Sequence, residues 1–369
     1  MKICIYSSYA WIKKANNYGS ILQYFALQTY LEKNGHKVFW LRYNPKRKNA
    51  LITKIISFFL KRKNNSITYK HQNEIGFQLF EDKFLNESNI EYKKYSQLRN
   101  NTPIADAYIT GSDQVWAGIS PERYLEFAPK KARKISYAAS FGSPKFGFLN
   151  NILYSWRLRN IDYISVRENV GINFCKKYHR NDAICTCDPT FLLEKKEYEE
   201  YLSKENKVSK PYIFVYLVNP IKSLNDIYWK EISDFAKKQN LNLLVCAIQG
   251  AEFSFDKNVL ISPDPLEWLQ IVHDAKYVIT SSFHGIAFSI IMRKQFVVIP
   301  QTGKTSVENL RFYDLINNLG LSEKIINNTN PIDLQLFCLI NWGKVERRLN
   351  RLRNISFSFL DKSLNNNTI

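Results

Sequence analysis

The stretch 274–300, DAKYVITSSFHGIAFSIIMRKQFVVIP, limits most strongly what this chain can fold into. A β-rich run at 277–279 leads through a polar turn to a His-Gly pair, and an apolar segment at 286–292 follows. A second β-rich run, 296–299, is stopped by a proline. This order predicts one βαβ unit, whose strand-to-helix turn lies at the carboxyl edge of a parallel sheet, where ligands bind.

The histidine of this unit, His284, stands at the predicted N-terminus of the helix. Free backbone N–H groups and the positive end of the helix dipole suit an anion at that position. An imidazole there is well placed for proton transfer or for binding a phosphate. A histidine that merely caps the helix explains the same placement, and for a single histidine the pattern favours this simpler role.

Strand-like runs alternate with helical patterns along the rest of the chain, which predicts an α/β protein. The 369 residues are enough for two domains. A charged stretch at 193–210 that is poor in apolar residues is typical of a linker or a solvated helix. We therefore predict an N-terminal α/β domain over 1–200, a C-terminal α/β domain over 201–330 and a helical segment over 331–369.

The net charge of +19 calls for an anionic partner or a compositional explanation. We predict no nucleic-acid partner, because the sequence has no RNP, zinc-finger or helix-turn-helix signature. An anionic membrane surface and a phosphorylated substrate stay open as partners. A diffuse enrichment in lysine, asparagine and isoleucine would explain the charge without a partner. The six cysteines are scattered without metal-ligand spacing, so we predict reduced core residues and no metal site.

One segment, 46–63, has basic triplets on both sides of an apolar stretch. Its apolar residues fall on one helical face, which suits a helix lying in the headgroup layer of an anionic membrane. A surface helix packed on its own domain gives the same pattern. No apolar run approaches the ~20 residues of a membrane span, and the N-terminus has no signal-peptide features. We therefore expect a cytoplasmic protein, with peripheral attachment to the inner face of the plasma membrane as an open alternative.

Six segments carry polar residues at predicted strand ends or helix starts. They are NNYGSILQYFALQTYL (16–31), ITGSDQVW (109–116), ISYAASFG (135–142), ISVRENVG (164–171), CDPTFLL (187–193) and TSSFHGIAFSI (280–290). In this order and spacing they resemble the polysaccharide pyruvyl transferase family over about residues 1–325. The resemblance implies a glycosyltransferase-B-like α/β fold, with two Rossmann-like domains facing a central cleft. It also implies transfer of the pyruvyl group of phosphoenolpyruvate onto two hydroxyls of a sugar, which forms a cyclic ketal.

Two residues match the family's most telling positions. His284 matches the histidine that precedes a glycine, and an imidazole can act as acid and base in ketal formation. Arg167 matches the arginine of the S-V-R-[ED] pattern and is the candidate for an anion clamp, because phosphoenolpyruvate carries a phosphate and a carboxylate. A surface arginine paired with Glu168 or Asp162 is the alternative for Arg167.

Asp113 is the second catalytic candidate, as acceptor of a proton from the sugar hydroxyl; a helix N-cap after Ser112 is the alternative. Asp188 is interpreted as a strand-terminating cap. The remaining predicted substrate contacts are Asn17, Tyr18, Gly19 and Ser20 on the acceptor side, and Ser112, Ser282, Phe283 and Gly285. For Gly19 and Ser20, the simple start of a helix is the alternative.

The sequence departs from the family at Ser282, where many members carry arginine two residues before the histidine. One donor-binding charge is therefore absent or supplied elsewhere. The candidates are Lys304, Arg293 and Arg311, and we favour Lys304 because its loop follows the next strand. The departure leaves the exact donor open.

The expected substrates are phosphoenolpyruvate, with no separate cofactor, and a sugar acceptor that we expect to be a polyprenyl-diphosphate-linked oligosaccharide. A glycosyltransferase of similar fold with a nucleotide-sugar donor is the first alternative function. A non-enzymatic basic protein that binds membrane or nucleic acid is the second.

Overall fold

A computed structural model provides the structure of the protein. It describes residues 1–7, 17–45, 73–142, 148–203, 210–256, 259–326 and 332–365. The segment with the predicted membrane-binding helix, 46–63, lies outside these residues, so that interpretation stays a prediction.

The first sheet has six parallel strands in the order β2-β1-β3-β4-β5-β6. Its strands are β1 (Lys2–Tyr6), β2 (Lys37–Trp40), β3 (Ala107–Gly111), β4 (Arg133–Ala139), β5 (Tyr163–Val166) and β6 (Ile184–Cys185). Helices in this part of the chain are α1 (Tyr18–Lys33), α2 (Glu74–Phe84), α3 (Tyr95–Asn100), α4 (Phe148–Leu158), α5 (Asn169–Lys177) and α6 (Lys195–Glu199). Strands such as β3 are buried along their whole length, as expected where helices cover both faces of a parallel sheet.

The second sheet has four parallel strands in the order β10-β9-β7-β8. Its strands are β7 (Tyr212–Val218), β8 (Asn242–Ile248), β9 (Tyr277–Thr280) and β10 (Gln295–Val298), and its helices are α7 (Trp229–Lys238), α8 (Pro265–Asp274), α9 (Phe283–Ile291) and α10 (Asn309–Leu319). The βαβ unit predicted over 274–300 is confirmed, because β9 pairs in parallel with β10 and α9 connects them. Below, the first half means residues up to 203 and the second half means 210–326.

The chain ends with α11 (Ile332–Phe337) and α12 (Trp342–Asn365), and α12 packs against the first half. Ser356 accepts a hydrogen bond from the backbone N–H of Cys187 at 2.9 Å. The buried Arg353 donates to the carbonyl of Phe191 at 2.8 Å. The helical segment predicted over 331–369 therefore contacts the first half, although it follows the second half in sequence. The domain boundaries at 200 and 330 stay predictions.

The sequence also led to expectations about the cysteines and about membrane-spanning helices. The cysteines are free, but the expected core position is wrong for Cys338, which is exposed, and Cys185 is only half-buried. No helix within the described ranges is long and apolar enough to cross a membrane.

Candidate functional site

The carboxyl ends of strands from both sheets border one cavity of about 190 Å³. Asp113 and Gln114 follow β3, Asn219 follows β7, and Ser281 with the start of α9 follows β9. In a parallel α/β sheet this edge is where loops and helix N-termini gather and ligands bind. The cavity therefore lies where the sequence predicted the ligand site.

His284 lies in the first turn of α9 and lines the cavity. Ser282 caps this helix, because its hydroxyl accepts from the N–H of Gly285 at 3.5 Å. The side chain of His284 is 7% exposed, and its Nε2 lies 3.6 Å from Oδ2 of Asp188. Nε2 has no hydrogen-bond partner within the described part of the chain. A buried imidazole nitrogen without a partner at a cavity wall is available to a substrate.

Gly19 packs directly against the ring of His284. A Cβ atom on Gly19 would lie 2.1 Å from Nδ1 and 2.3 Å from Cγ of His284, which is far inside van der Waals contact. The neighbouring Tyr18 fixes this approach, since its ring stacks on Trp268 and its hydroxyl donates to the carbonyl of Pro263 at 2.8 Å. The N-terminus of α1 is therefore held against α9, and only glycine fits beside the imidazole.

Gly19→Ala should cost about 1–3 kcal/mol of unfolding free energy, the usual result of overpacking. Because ring atoms as well as Cβ of His284 are in the way, the imidazole must move, and any reaction that depends on its position should slow by about 10²-fold. Urea unfolding and steady-state kinetics measure the two effects. The matched control is Gly343→Ala, where the nearest side-chain atom lies 3.6 Å from the new Cβ, so that neither quantity should fall. Equal behaviour of the two variants would contradict the packing of Gly19 on His284.

Arg167 lies behind the cavity wall rather than on it, with a side chain only 2% exposed. Its guanidinium donates to Glu168 at 3.0 Å, to Asp188 at 2.9 Å and to Asp113 at 3.4 Å. It also lies 4.4 Å from the ring centroid of Phe283, a cation–π distance. The predicted pairing with Glu168 is present, in a buried network rather than at the surface. This geometry makes Arg167 a positioning group for three carboxylates, and direct contact with substrate stays a prediction.

Asp188 joins the site, although the sequence interpretation gave it only a capping role. Its Oδ1 does cap the turn, accepting from the N–H of Thr190 at 3.1 Å. Its Oδ2 accepts from Arg167 and from the hydroxyl of Ser112 at 3.3 Å and faces His284. Burial would raise the pKa of Asp188, but His284 and Arg167 outweigh this effect and lower it. The carboxylate therefore stays ionised beside the imidazole.

Asp113 and Arg311 form the charged part of the cavity wall. Nη1 of Arg311 lies 3.4 Å from Oδ1 of Asp113, and Nη2 lies 2.7 Å from Glu308. The amide oxygen of Gln114, in its favourable orientation, accepts from both Nη atoms at 2.9 and 3.0 Å. Burial would raise the pKa of Asp113, but the charges of Arg167 and Arg311 outweigh it and lower the pKa. Asp113 is therefore an ionised acceptor at the cavity surface.

The other predicted contacts divide into two groups. Asn17 and Ser20 line the cavity, and Asn17 also caps α1 by accepting from the N–H of Ser20 at 3.1 Å. Tyr18 points away into the core between the halves. Phe283 lines the cavity, whereas Gly285 is packed against Thr280, whose Oγ1 would lie 2.2 Å from a Cβ.

Comparison with known proteins decides the family. The model of the family described as polysaccharide pyruvyl transferase matches residues 17–302, which is most of the chain. The chain belongs to the polysaccharide pyruvyl transferase family. A comparison with curated protein sequences gives no significant match.

Solved structures support the fold of this pyruvyl transferase family member. A putative UDP-N-acetylglucosamine 2-epimerase from Listeria monocytogenes superposes with a TM-score of 0.57 at 9% identity, covering 99% of this chain and 96% of that chain. The UDP-GlcNAc 2-epimerase from Methanocaldococcus jannaschii gives a TM-score of 0.50 at 12% identity, covering 96% and 93%. At such low identity these similarities show the fold alone. The predicted α/β, glycosyltransferase-B-like fold with two parallel sheets is confirmed.

Many members of the pyruvyl transferase family carry arginine where this chain has Ser282, and the structure distinguishes the three residues that could supply this charge instead. Arg293 follows the far end of α9 and pairs with Glu346 at 3.4 Å, with a side chain 55% exposed. Lys304 lies in a 3-10 turn at 303–308, but its side chain lies outside the described part of the structure. Arg311 lines the cavity, and its Nε is buried without a hydrogen-bond partner among the described residues. Of the two candidates whose side chains the structure describes, Arg311 is therefore the one that lines the cavity.

Several cavity-lining residues were not predicted: Gln114, Asn219, Gln249, Gln301 and Glu308. They follow strands or begin helices, but their residue types are common in surface loops. Only Gln114 lay within a quoted motif, GSDQVW.

No group of three His, Cys, Asp or Glu side chains in the described ranges could hold a metal ion.

Proposed function

We propose that the protein transfers the pyruvyl group of phosphoenolpyruvate onto two hydroxyls of a sugar, with release of phosphate and formation of a cyclic ketal. Family membership supports the reaction class. The observation that carries the assignment of the site is the unpaired Nε2 of His284, held between the ionised Asp188 and a cavity lined by both halves.

The reaction requires a defined movement of protons. The methylene carbon of the donor gains one proton, and a sugar hydroxyl attacks the carbon that bears the phosphate. Phosphate then leaves, and the second hydroxyl closes the ketal. Of the two protons lost by the hydroxyls, one replaces the proton given to the methylene carbon and the other leaves with the phosphate. His284 is the proposed carrier of the first proton, because imidazole both accepts and donates near neutral pH.

The buried Asp188 supports this role. When His284 accepts a proton, its positive charge forms close to a carboxylate that is already ionised and held by Arg167. A fixed negative charge in a site shielded from water stabilises the imidazolium more than solvent would. Asp188 is therefore a positioning and charge-stabilising residue behind His284.

Asp188→Asn should lower kcat by about 10²-fold, at the lower end of what acid–base catalysis contributes. The KM for phosphoenolpyruvate should change little, because Asp188 does not line the cavity where substrate binds. Steady-state kinetics separate the two constants. Asp182→Asn, at an exposed carboxylate paired with Arg180, is the control and should leave both constants unchanged. A rise in KM with unchanged kcat would contradict the role behind His284.

The donor is proposed to bind at Arg311 and the N-terminus of α9. Phosphoenolpyruvate carries a phosphate and a carboxylate, which guanidinium groups and helix N-termini bind well. The first turn of α9 borders the cavity at Phe283 and His284, and the first N–H groups of a helix have no partner within the helix. This placement brings the methylene carbon of the donor to the imidazole.

Arg311→Met should therefore raise the KM for phosphoenolpyruvate by about 10- to 100-fold, the value of a hydrogen bond to a charged group. The effect is measured from initial rates at varied donor concentration and saturating acceptor. Arg347→Met removes an equal charge from an exposed position on α12 and should leave the KM unchanged. If both variants show the same KM as wild type, the donor binds elsewhere.

Phosphate release from phosphoenolpyruvate tests the proposed function as a whole. The acceptors to compare are p-nitrophenyl glycosides and polyprenyl-diphosphate-linked oligosaccharides, the proposed natural class at the inner face of the plasma membrane. Acceptor-dependent phosphate release supports the proposal, and faster release with the lipid-linked class supports the membrane location. Absence of release with every acceptor, together with binding of a nucleotide-sugar, would favour the glycosyltransferase alternative.

A further inference from the structure

The second half contributes a wall of amides and one carboxylate to the cavity: Asn219, Gln249, Gln301 and Glu308. Asn219 directly follows β7 and Gln249 directly follows β8, so both stand at the carboxyl edge of the second sheet. We call these four residues the amide wall. Nothing in the sequence motifs assigned a role to them.

Two members of the amide wall have an uncommon backbone conformation. Asn219 has φ 70° and Gln249 has φ 59°, both in the left-handed region. Asparagine tolerates this region, but glutamine rarely occupies it. Such conformations are enriched at ligand sites, and in this chain they also occur in turns away from the cavity, as at Asn240. Here they occur at the ends of two adjacent strands, and both side chains line the cavity.

Hydrogen bonds fix part of the amide wall and leave part of it unused. Asn219 donates to Gln301 at 2.9 Å and to Glu308 at 3.4 Å, and Gln301 donates to the carbonyl of Ser281 at 3.1 Å. Within the described residues, the amide of Gln249 and the Oδ1 atom of Asn219 make no hydrogen bond. The wall therefore presents a free donor and two free acceptors to a ligand, whereas the carboxylate of Glu308 is already paired with Arg311 at 2.7 Å.

We propose that the amide wall binds the hydroxyls of the acceptor sugar, an inference that rests on the proposed function. Neutral amides bind hydroxyl groups as both donors and acceptors, and they carry no positive charge to pair with a phosphate. The anionic donor is instead proposed to bind where the cavity offers a positive charge and a helix N-terminus, at Arg311 and the start of α9 next to His284. Asn17 and Ser20 remain the predicted acceptor contacts of the first half, because the cap of α1 uses only the Asn17 oxygen and the backbone N–H of Ser20.

The test uses a pair of substitutions at Gln249 that both suit its backbone. Gln249→Gly removes the amide and adopts φ 59° without strain, and Gln249→Asn keeps an amide in a residue type that tolerates this region. The probe is the p-nitrophenyl glycoside that gives the fastest phosphate release with the wild-type protein. Gln249→Gly should raise the KM for this glycoside about tenfold, the loss expected for one or two neutral hydrogen bonds. Gln249→Asn should recover part of the loss.

The control makes the same kind of change away from the cavity. Asn240→Gly replaces an exposed amide residue with φ 51° in the turn before β8 and should leave the KM for the glycoside unchanged. A rise in the KM for phosphoenolpyruvate instead of the glycoside in Gln249→Gly would overturn the inference, as would no change in either. Failure of the wild-type protein to release phosphate with any glycoside or lipid-linked acceptor would instead contradict the proposed function.

Discussion

Replacing His284 with glutamine should lower kcat for phosphate release by about 10²–10⁴-fold, the contribution of a positioned general acid and base. Glutamine fills similar space, but it cannot carry a proton between the sugar hydroxyl and the donor carbon. The thermal unfolding midpoint should stay close to that of the wild-type protein, because Nε2 makes no hydrogen bond that the substitution breaks. Steady-state kinetics and thermal unfolding measure both quantities on the same preparation.

His273→Gln is the matched control for this prediction. His273 lies on α8, where its ring nitrogens contact Asp274 at 2.7 Å and Glu199 at 3.0 Å, and it does not line the cavity. It should therefore leave kcat at the wild-type value. If His284→Gln retains full activity, or if both variants lose activity equally, His284 is not the proton carrier.

Arg167→Met should destabilise the protein by about 3–5 kcal/mol, as expected when one partner of a buried ion pair is removed. The substitution leaves Asp113, Glu168 and Asp188 close together without the guanidinium that holds all three. It should also lower activity, because Asp188 would no longer be held beside His284. Urea unfolding at neutral pH measures the loss of stability.

The pH dependence of this effect has a definite sign. Arg167 lowers the pKa of Asp113 and Asp188 in the folded protein. Their contribution to stability is therefore present above the unfolded pKa of about 3.9 and is lost as pH falls through the folded values. In Arg167→Met the carboxylates are buried close together without a counter-charge, so their folded pKa values lie above the unfolded value and protonation relieves them at a higher pH. The stability difference between the two proteins should thus be largest at neutral to alkaline pH and shrink as pH falls.

Lys230→Met provides the control for a solvent-exposed ion pair. Lys230 contacts Asp234 at 2.6 Å one helical turn away on α7, and both side chains are more than half exposed. Solvent-exposed pairs of this kind contribute little to stability, so the unfolding free energy should barely change. An equally small effect of Arg167→Met would contradict the buried network described here.

The local elements were largely predictable from the sequence, but their long-range packing was not. β-rich runs that alternate with helical patterns indicated the α/β fold and located the βαβ unit at 274–300. Helix α8 was missed, although Pro265 at its first position and a capping box between Asp264 and Glu267 mark its start. The return of α12 to the first sheet had no local signal, because an amphipathic pattern shows that a face is buried and not against which partner.

For the candidate site, the sequence likewise located the main residues but not the contacts between them. Motifs at strand ends located His284 and Arg167, since a parallel sheet brings such ends to one edge. They did not show that Arg167 is covered by three carboxylates, because its partners follow three different strands or turns. Asp188 was interpreted only as a cap for the same reason: its second oxygen meets residues nearly a hundred positions away.

Isotope incorporation tests the central claim most directly. The reaction is run in D₂O with phosphoenolpyruvate and an active glycoside, and the product is examined by mass spectrometry and NMR. If the donor carbon is protonated through an exchangeable group such as His284, the ketal methyl group should carry one deuterium. The product should otherwise be the acceptor plus pyruvic acid less one water. A product without a ketal methyl group, or one whose methyl group carries no deuterium, would contradict pyruvyl transfer by this site.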